Sequence, residues 1–175
     1  MKQFAAVFSG VLLALAIGQS PAYAQAEAEW HRVVVKPEVF SVETPCASDE
    51  LHRVNRLDSA GIQCRIGNDG FGALITSNGL TPGTGDDTFD GIHSELAQDS
   101  ATGKIVTLEV AGRRALRATN DENGRFIVQV VELGEKELLV LMQIGDPMVA
   151  ADKSDDAGRY ARAVEYFETL EFLGS

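Results

Sequence analysis

The residues best suited to chemistry at a defined spacing are Cys46 and Cys64, the only cysteines of the chain. They bracket the stretch TPCASDELHRVNRLDSAGIQC. Four uses are open to such a pair: a metal site, a redox couple, a nucleophile with a spare, or a structural bridge. The spacing is unlike the C-x-x-C of a thioredoxin-type couple. Two thiolates fall short of a zinc site, which takes four ligands, and His52 between them adds only a third. In an oxidising compartment two cysteines of one small domain pair. A Cys46–Cys64 disulfide is therefore expected, closing a loop worth about 3 kcal/mol in the chain-entropy account.

The acidic segment DDTFDG places Asp86, Thr88, Asp90 and Gly91 as in the first half of a calcium loop. That half supplies oxygen ligands on alternate residues and a glycine for the turn. The twelfth position should be a bidentate glutamate and is Ala97, with Glu95 and Asp99 beside it. Helix capping accounts for the same acids. Asp86, Thr88 and Asp90 are thus a weak calcium candidate, and no metal or other cofactor is expected.

His31, His52 and His93 fall in neither H-E-x-x-H nor H-x-H spacing. There is no G-x-S-x-G, and Ser77 precedes the turn Asn78-Gly79. The glycines at 79, 83 and 85 are not followed by Gly-Lys-Ser/Thr, so no phosphate cradle is indicated. An enzyme remains possible only with a site assembled from residues far apart in sequence.

A third group is cationic. Arg113, Arg114 and Arg117 sit on one expected strand, and Arg125 lies across a turn from them. Strand alternation puts Arg113 and Arg117 on one face, with Arg125 near them. One reading pairs these guanidinia with the surrounding Asp and Glu. The other makes Arg113, Arg117 and Arg125 a contact for an anionic or carboxylate group of a partner.

The N-terminus gives an address. Lys2 is followed by an apolar run from Phe4 to Ile17, then Gly18, Ser20 and Pro21, and Ala22-Tyr23-Ala24 offers a cut after Ala24. That is the layout of a cleavable secretory signal over residues 1–24, shorter than a membrane span. No later segment is apolar enough to insert. The periplasm is the expected compartment. Cleavage leaves 151 residues, with 14 Lys and Arg against 26 Asp and Glu, a net charge of −12. Nucleic-acid backbones and anionic lipid surfaces would be repelled, and cationic partners attracted.

Residues 25–29 read as a disordered tail, and residues 30–175 as one domain. WHRVVV is a strand ended by Pro37, VFSVETP a half-buried one stopped by Pro45, and HRVNRLD a short strand or helical turn. GIQCRIG turns Ile62, Cys64 and Ile66 to one side, and FGALITS is a further strand. NGLTPGTGD is a loop. A helix follows, with Phe89, Ile92 and Leu96 as its buried stripe and Asp86, Asp87 or Asp90 as its cap. From Lys104 come four antiparallel strands. The last, KELLVLMQI, has Leu138, Val140, Met142 and Ile144 on one face and Leu139 and Leu141 on the other, as in a strand covered on both sides. A final helix, capped at Ser154 or Asp155, should bury Ala157, Tyr160 or Ala161, Val164 and Phe167, and TLEF adds an edge strand. The expected class is α+β: a mostly antiparallel sheet with a C-terminal meander, flanked by a few helices.

Phe40-Ser41-Val42 with Pro45, the hairpin glycines Gly112 and Gly124, and the segment Phe167–Phe172 occur in a telling order. Two strands, a middle helix, a four-strand meander and a last helix resemble the PsbP-like family. The resemblance implies an antiparallel sheet between helices and an accessory or binding role, and it brings no metal site to these residues. The expected function is therefore a non-enzymatic exported accessory protein that binds another envelope protein. A second reading is an acidic inhibitor or immunity protein that blocks a cationic hydrolase such as lysozyme, with residues 78–91 as the wedge. The third is the enzyme with a dispersed site.

Overall fold

The computed structural model describes residues 29–55, 59–67, 69–77, 88–98, 102–120, 126–145 and 156–174. The signal segment 1–24, the tail 25–28, all of residues 78–87, Arg125, Ser154 and Asp155 lie outside these residues.

The described chain is mostly antiparallel strand with two helices. The strands are β1 (His31–Lys36), β2 (Phe40–Thr44), β3 (His52–Asn55), β4 (Ser59–Ile66), β5 (Asp69–Ser77), β6 (Thr102–Val110), β7 (Arg113–Asn120), β8 (Phe126–Gly134), β9 (Glu137–Gly145) and β10 (Glu171–Phe172). The helices are α1 (Phe89–Gln98) and α2 (Asp156–Glu168). A seven-stranded sheet runs β3-β4-β5-β9-β8-β7-β6, and a three-stranded sheet runs β1-β2-β10.

β9 is the middle strand of the larger sheet, which explains why it is apolar on both faces. Leu139 and Leu141 enter a core with Phe40, Val42, Phe71, Tyr166 and Phe167. Leu138, Val140 and Met142 enter a second core with Phe89, Ile92 and Leu96 of α1. The small sheet and α2 thus cover one face of the large sheet, and α1 the other. β6 through β9 pair antiparallel in chain order. The β6–β7 turn is Ala111-Gly112, with φ of 50° and 75°. Positive φ at both positions matches strand twist and suits a glycine.

Glycines set the packing at the other end of the sheet. Gly61 lies under Leu74, and Gly72 lies under Met142. The two larger side chains fold flat across the sheet where these residues have no Cβ. Arg32 ties the small sheet together, reaching Glu43 at 2.8 Å and Glu171 at 2.5 Å.

Three expectations need correction. The α1 cap is Thr88: its Oγ1 accepts from Gly91 N at 3.2 Å and its carbonyl from Ile92 N at 3.0 Å. Asp90 is inside the helix instead. Ile66 is exposed rather than facing inward with Ile62 and Cys64, because it closes the β4–β5 hairpin opposite Asp69. Among the described side chains of α2, the buried ones are Arg159, Ala163, Tyr166 and Phe167, whereas Tyr160 and Ala161 are exposed; the Ala157 side chain lies outside the described residues. The stripe is rotated because Arg159 is drawn inward by Asp69 of β5, at 3.5 Å.

Candidate interaction surface

Cys46 and Cys64 form a disulfide. Both residues are buried, and Thr44 Oγ1 stands 3.1 Å from Cys64 Sγ. Cys46 follows β2 and Cys64 is in β4, so the bond fastens the small sheet to the large one. A sulfur pair sealed in the core is a staple.

The acidic segment does not converge on a cation within the described residues. Thr88 directs its oxygens to the start of α1. Asp90 forms an ion pair with Arg114. Asp86 lies outside the described residues. Among those described, no three His, Cys, Asp or Glu side chains gather as a metal site would need. His31, His52 and His93 are carried by β1, β3 and α1.

The arginines of β7 separate as alternation requires, and their partners differ from one face to the other. The Arg113 guanidinium lies 4.8 Å from the Phe172 ring centroid, and Arg117 lies 5.4 Å from that of Phe167. Arg117 also donates to Gln129 Oε1 at 2.7 Å and 3.2 Å. On the opposite face Arg114 stands over Phe89 at 4.6 Å and pairs with both Asp90 and Glu132. Among the described residues, Arg114 alone of these arginines thus engages acids in the way the surrounding charge suggested. Arg113 and Arg117 instead clamp the C-terminal aromatics to the sheet by cation–π contact, worth about 0.5–1 kcal/mol where exposed. Arg125 is beyond the described residues.

On the α1 face, the glycine-rich end of the sheet leaves a hollow lined by Gln63, Gly70, Gly72, Leu74, Met142 and Ile144. Its volume is about 10 Å³, room for about one water molecule. Gln63 is buried and its Oε1 has no protein partner among the described residues.

One exposed feature is passed over by motif reading. β6 ends the seven-stranded sheet and pairs with β7 alone among the described strands. Val106, Leu108 and Val110 lie opposite Arg117, Ala115 and Arg113, on the face shared with α2. Val106 is 36% exposed, and Leu108 and Val110 are half-buried. An edge strand with one apolar row and open backbone groups is a template for another strand. The alternation of KIVTLEV was readable as a strand. Its position at the sheet edge depends on strand order, which no local pattern encodes.

The chain resembles the solution structure of cyanobacterial PsbP (CyanoP) from Synechocystis sp. PCC 6803. The match has a TM-score of 0.49 at 8% identity, and covers 87% of this chain and 98% of the other. It is a resemblance of topology. No family model and no curated protein matches the sequence.

Proposed function

We propose that this is a soluble, non-enzymatic accessory protein of the bacterial cell envelope, exported through cleavage after Ala24, that acts by binding another protein along β6. The observation that carries the reading is β6 at the end of the sheet, paired with β7 alone among the described strands, with its row Val106, Leu108 and Val110. Strand addition at such an edge gains main-chain hydrogen bonds, and the apolar row supplies side-chain contact. The buried disulfide fits an oxidising compartment, and the net charge of −11 for the whole chain favours a cationic partner. In this reading the domain is α+β, its C-terminal meander serving to present β6.

The test is capture of tagged mature protein from crosslinked host envelope, run beside Val106→Lys. A lysine on an exposed edge position opposes strand pairing without filling the core. The expected result is one dominant partner, absent from a tag control and lost with Val106→Lys. A partner held equally by the variant, or no partner, overturns the assignment. Fractionation should place a chain beginning at Gln25 in the periplasm.

A further inference from the structure

We infer that the segment received by β6 is an extended strand in which apolar and basic residues alternate. This rests on the β6 docking reading and adds the chemistry of the partner.

The two faces of the β6 edge differ. One is the row Val106, Leu108 and Val110. The other carries Ile105, Thr107 and Glu109, opposite Ala118, Leu116 and Arg114 of β7. A strand laid beside β6 has side chains alternating between these faces, each about 4.5–5.5 Å from the residue directly opposite. Every second residue of the partner therefore meets Val106, Leu108 or Val110 and should be apolar.

Charge decides the other set. Arg114 is the cross-strand neighbour of Glu109, yet its guanidinium is taken by Asp90 of α1 and Glu132 of β8. Among the described residues Glu109 has no ion pair, and it is exposed. One cation thus faces three carboxylates, Asp90, Glu132 and Glu109. The surplus is acidic at the point where a new strand would place its second row. Lysine or arginine there is attracted, and aspartate or glutamate is repelled. A second copy of this chain is a poor occupant, since it would bring another such acidic face and another net −11 to the same edge.

The experiment uses the mature, disulfide-bonded protein and capped peptides of about nine residues, the length of β6. One alternates valine and lysine, one alternates valine and glutamate, and one has the Val/Lys composition without alternation. Titration with amide-shift mapping reads affinity and place together. The expected result is binding of the alternating Val/Lys peptide with shifts along β6 and β7. Its affinity should be about tenfold above the other two and should fall as salt is raised. Glu109→Lys should abolish the preference for lysine over glutamate, and Val106→Lys should weaken binding of the Val/Lys peptide. Equal affinity for the Val/Lys and Val/Glu peptides overturns the inference. So does equal affinity for the non-alternating peptide, binding unchanged by Val106→Lys, or sedimentation as a β6-dependent dimer. If envelope capture depends on Val106 while the peptides show no charge preference, docking at β6 stands and the basic partner falls. If capture is also indifferent to Val106, both fall.

Discussion

Arg159 Nε stands 3.5 Å from Asp69 Oδ1, and the same guanidinium lies over Gly145, where a Cβ would come within 3.0 Å of it. Arg162 approaches the other carboxylate oxygen, also at 3.5 Å. One carboxylate at the start of β5 thus holds two arginines of α2 against the sheet. The Arg159 side chain is only 9% exposed and that of Asp69 20%. Removing Asp69 takes away a carboxylate that both guanidinia approach in a poorly hydrated place. Asp69→Ala is expected to lower unfolding free energy by about 3 kcal/mol, measured by urea titration. Asp69→Glu should recover part of the loss. A loss for Asp69→Ala below about 1 kcal/mol, the scale of a surface pair, would show that the carboxylate does not anchor α2.

Gly61 and Gly72 make a graded comparison. A Cβ at Gly61 would sit 2.1 Å from the Ala73 carbonyl oxygen, a backbone atom fixed by pairing between β4 and β5. At Gly72 the nearest atom is Met142 Cγ at 3.0 Å, part of a flexible side chain. Gly61→Ala should therefore cost about 3 kcal/mol or prevent folding, and Gly72→Ala about 1 kcal/mol. Thermal unfolding of both variants checks the order. Equal losses would mean that the β4–β5 pair yields more readily than its register implies.

Much of this architecture was legible locally. Phe89, Ile92 and Leu96 were expected at the buried face of α1 and are buried. The two-faced apolar run of β9 pointed to a covered strand and occupies the sheet centre. Errors arose where a distant residue decided the outcome. Helical spacing placed Tyr160 or Ala161 inside α2 because an arginine is ordinarily a surface residue. Only the arrival of Asp69 from β5 makes Arg159 the buried one. Likewise, nothing near Arg113 and Arg117 announces Phe172 and Phe167, which lie far along the chain and meet them only through β10 and α2. The β6 edge was hidden for the same reason: its residues spell a strand, while its place at the end of the sheet is a property of the strand order.

The disulfide joins two sheets as well as two cysteines. Its sequence separation is 18 residues, for which loop closure contributes about 3 kcal/mol. Cys46→Ala with Cys64→Ala should lower the urea midpoint accordingly, with an unchanged dependence of β6 docking on Val106. Because both residues are buried, reduction of the native protein should be slow without denaturant and rapid with it. Fast reduction of the folded chain would show that β2 and β4 separate readily.

Tyr166 should set the alkaline limit of stability. Its ring packs in a triangle with Trp30 and Phe71, at centroid distances of 6.3 and 5.4 Å, and Phe167 stands beside it at 5.7 Å. Burial pushes its phenol well above the ordinary tyrosine value, since the phenolate would lose its hydration. The unfolded chain ionises near pH 10 while the folded chain holds the proton. The unfolded state then binds fewer protons, so stability falls as pH rises. The contribution of this residue is complete below about pH 10 and is lost above it, at up to about 1.4 kcal/mol per pH unit. Urea midpoints of the wild type and Tyr166→Phe, taken from pH 8 to about 11.5, isolate the effect. The two curves should run parallel up to about pH 10 and differ in slope above it, the phenylalanine variant falling less steeply. Parallel curves across the whole range would mean that the Tyr166 phenol ionises in the folded protein as readily as in the unfolded chain.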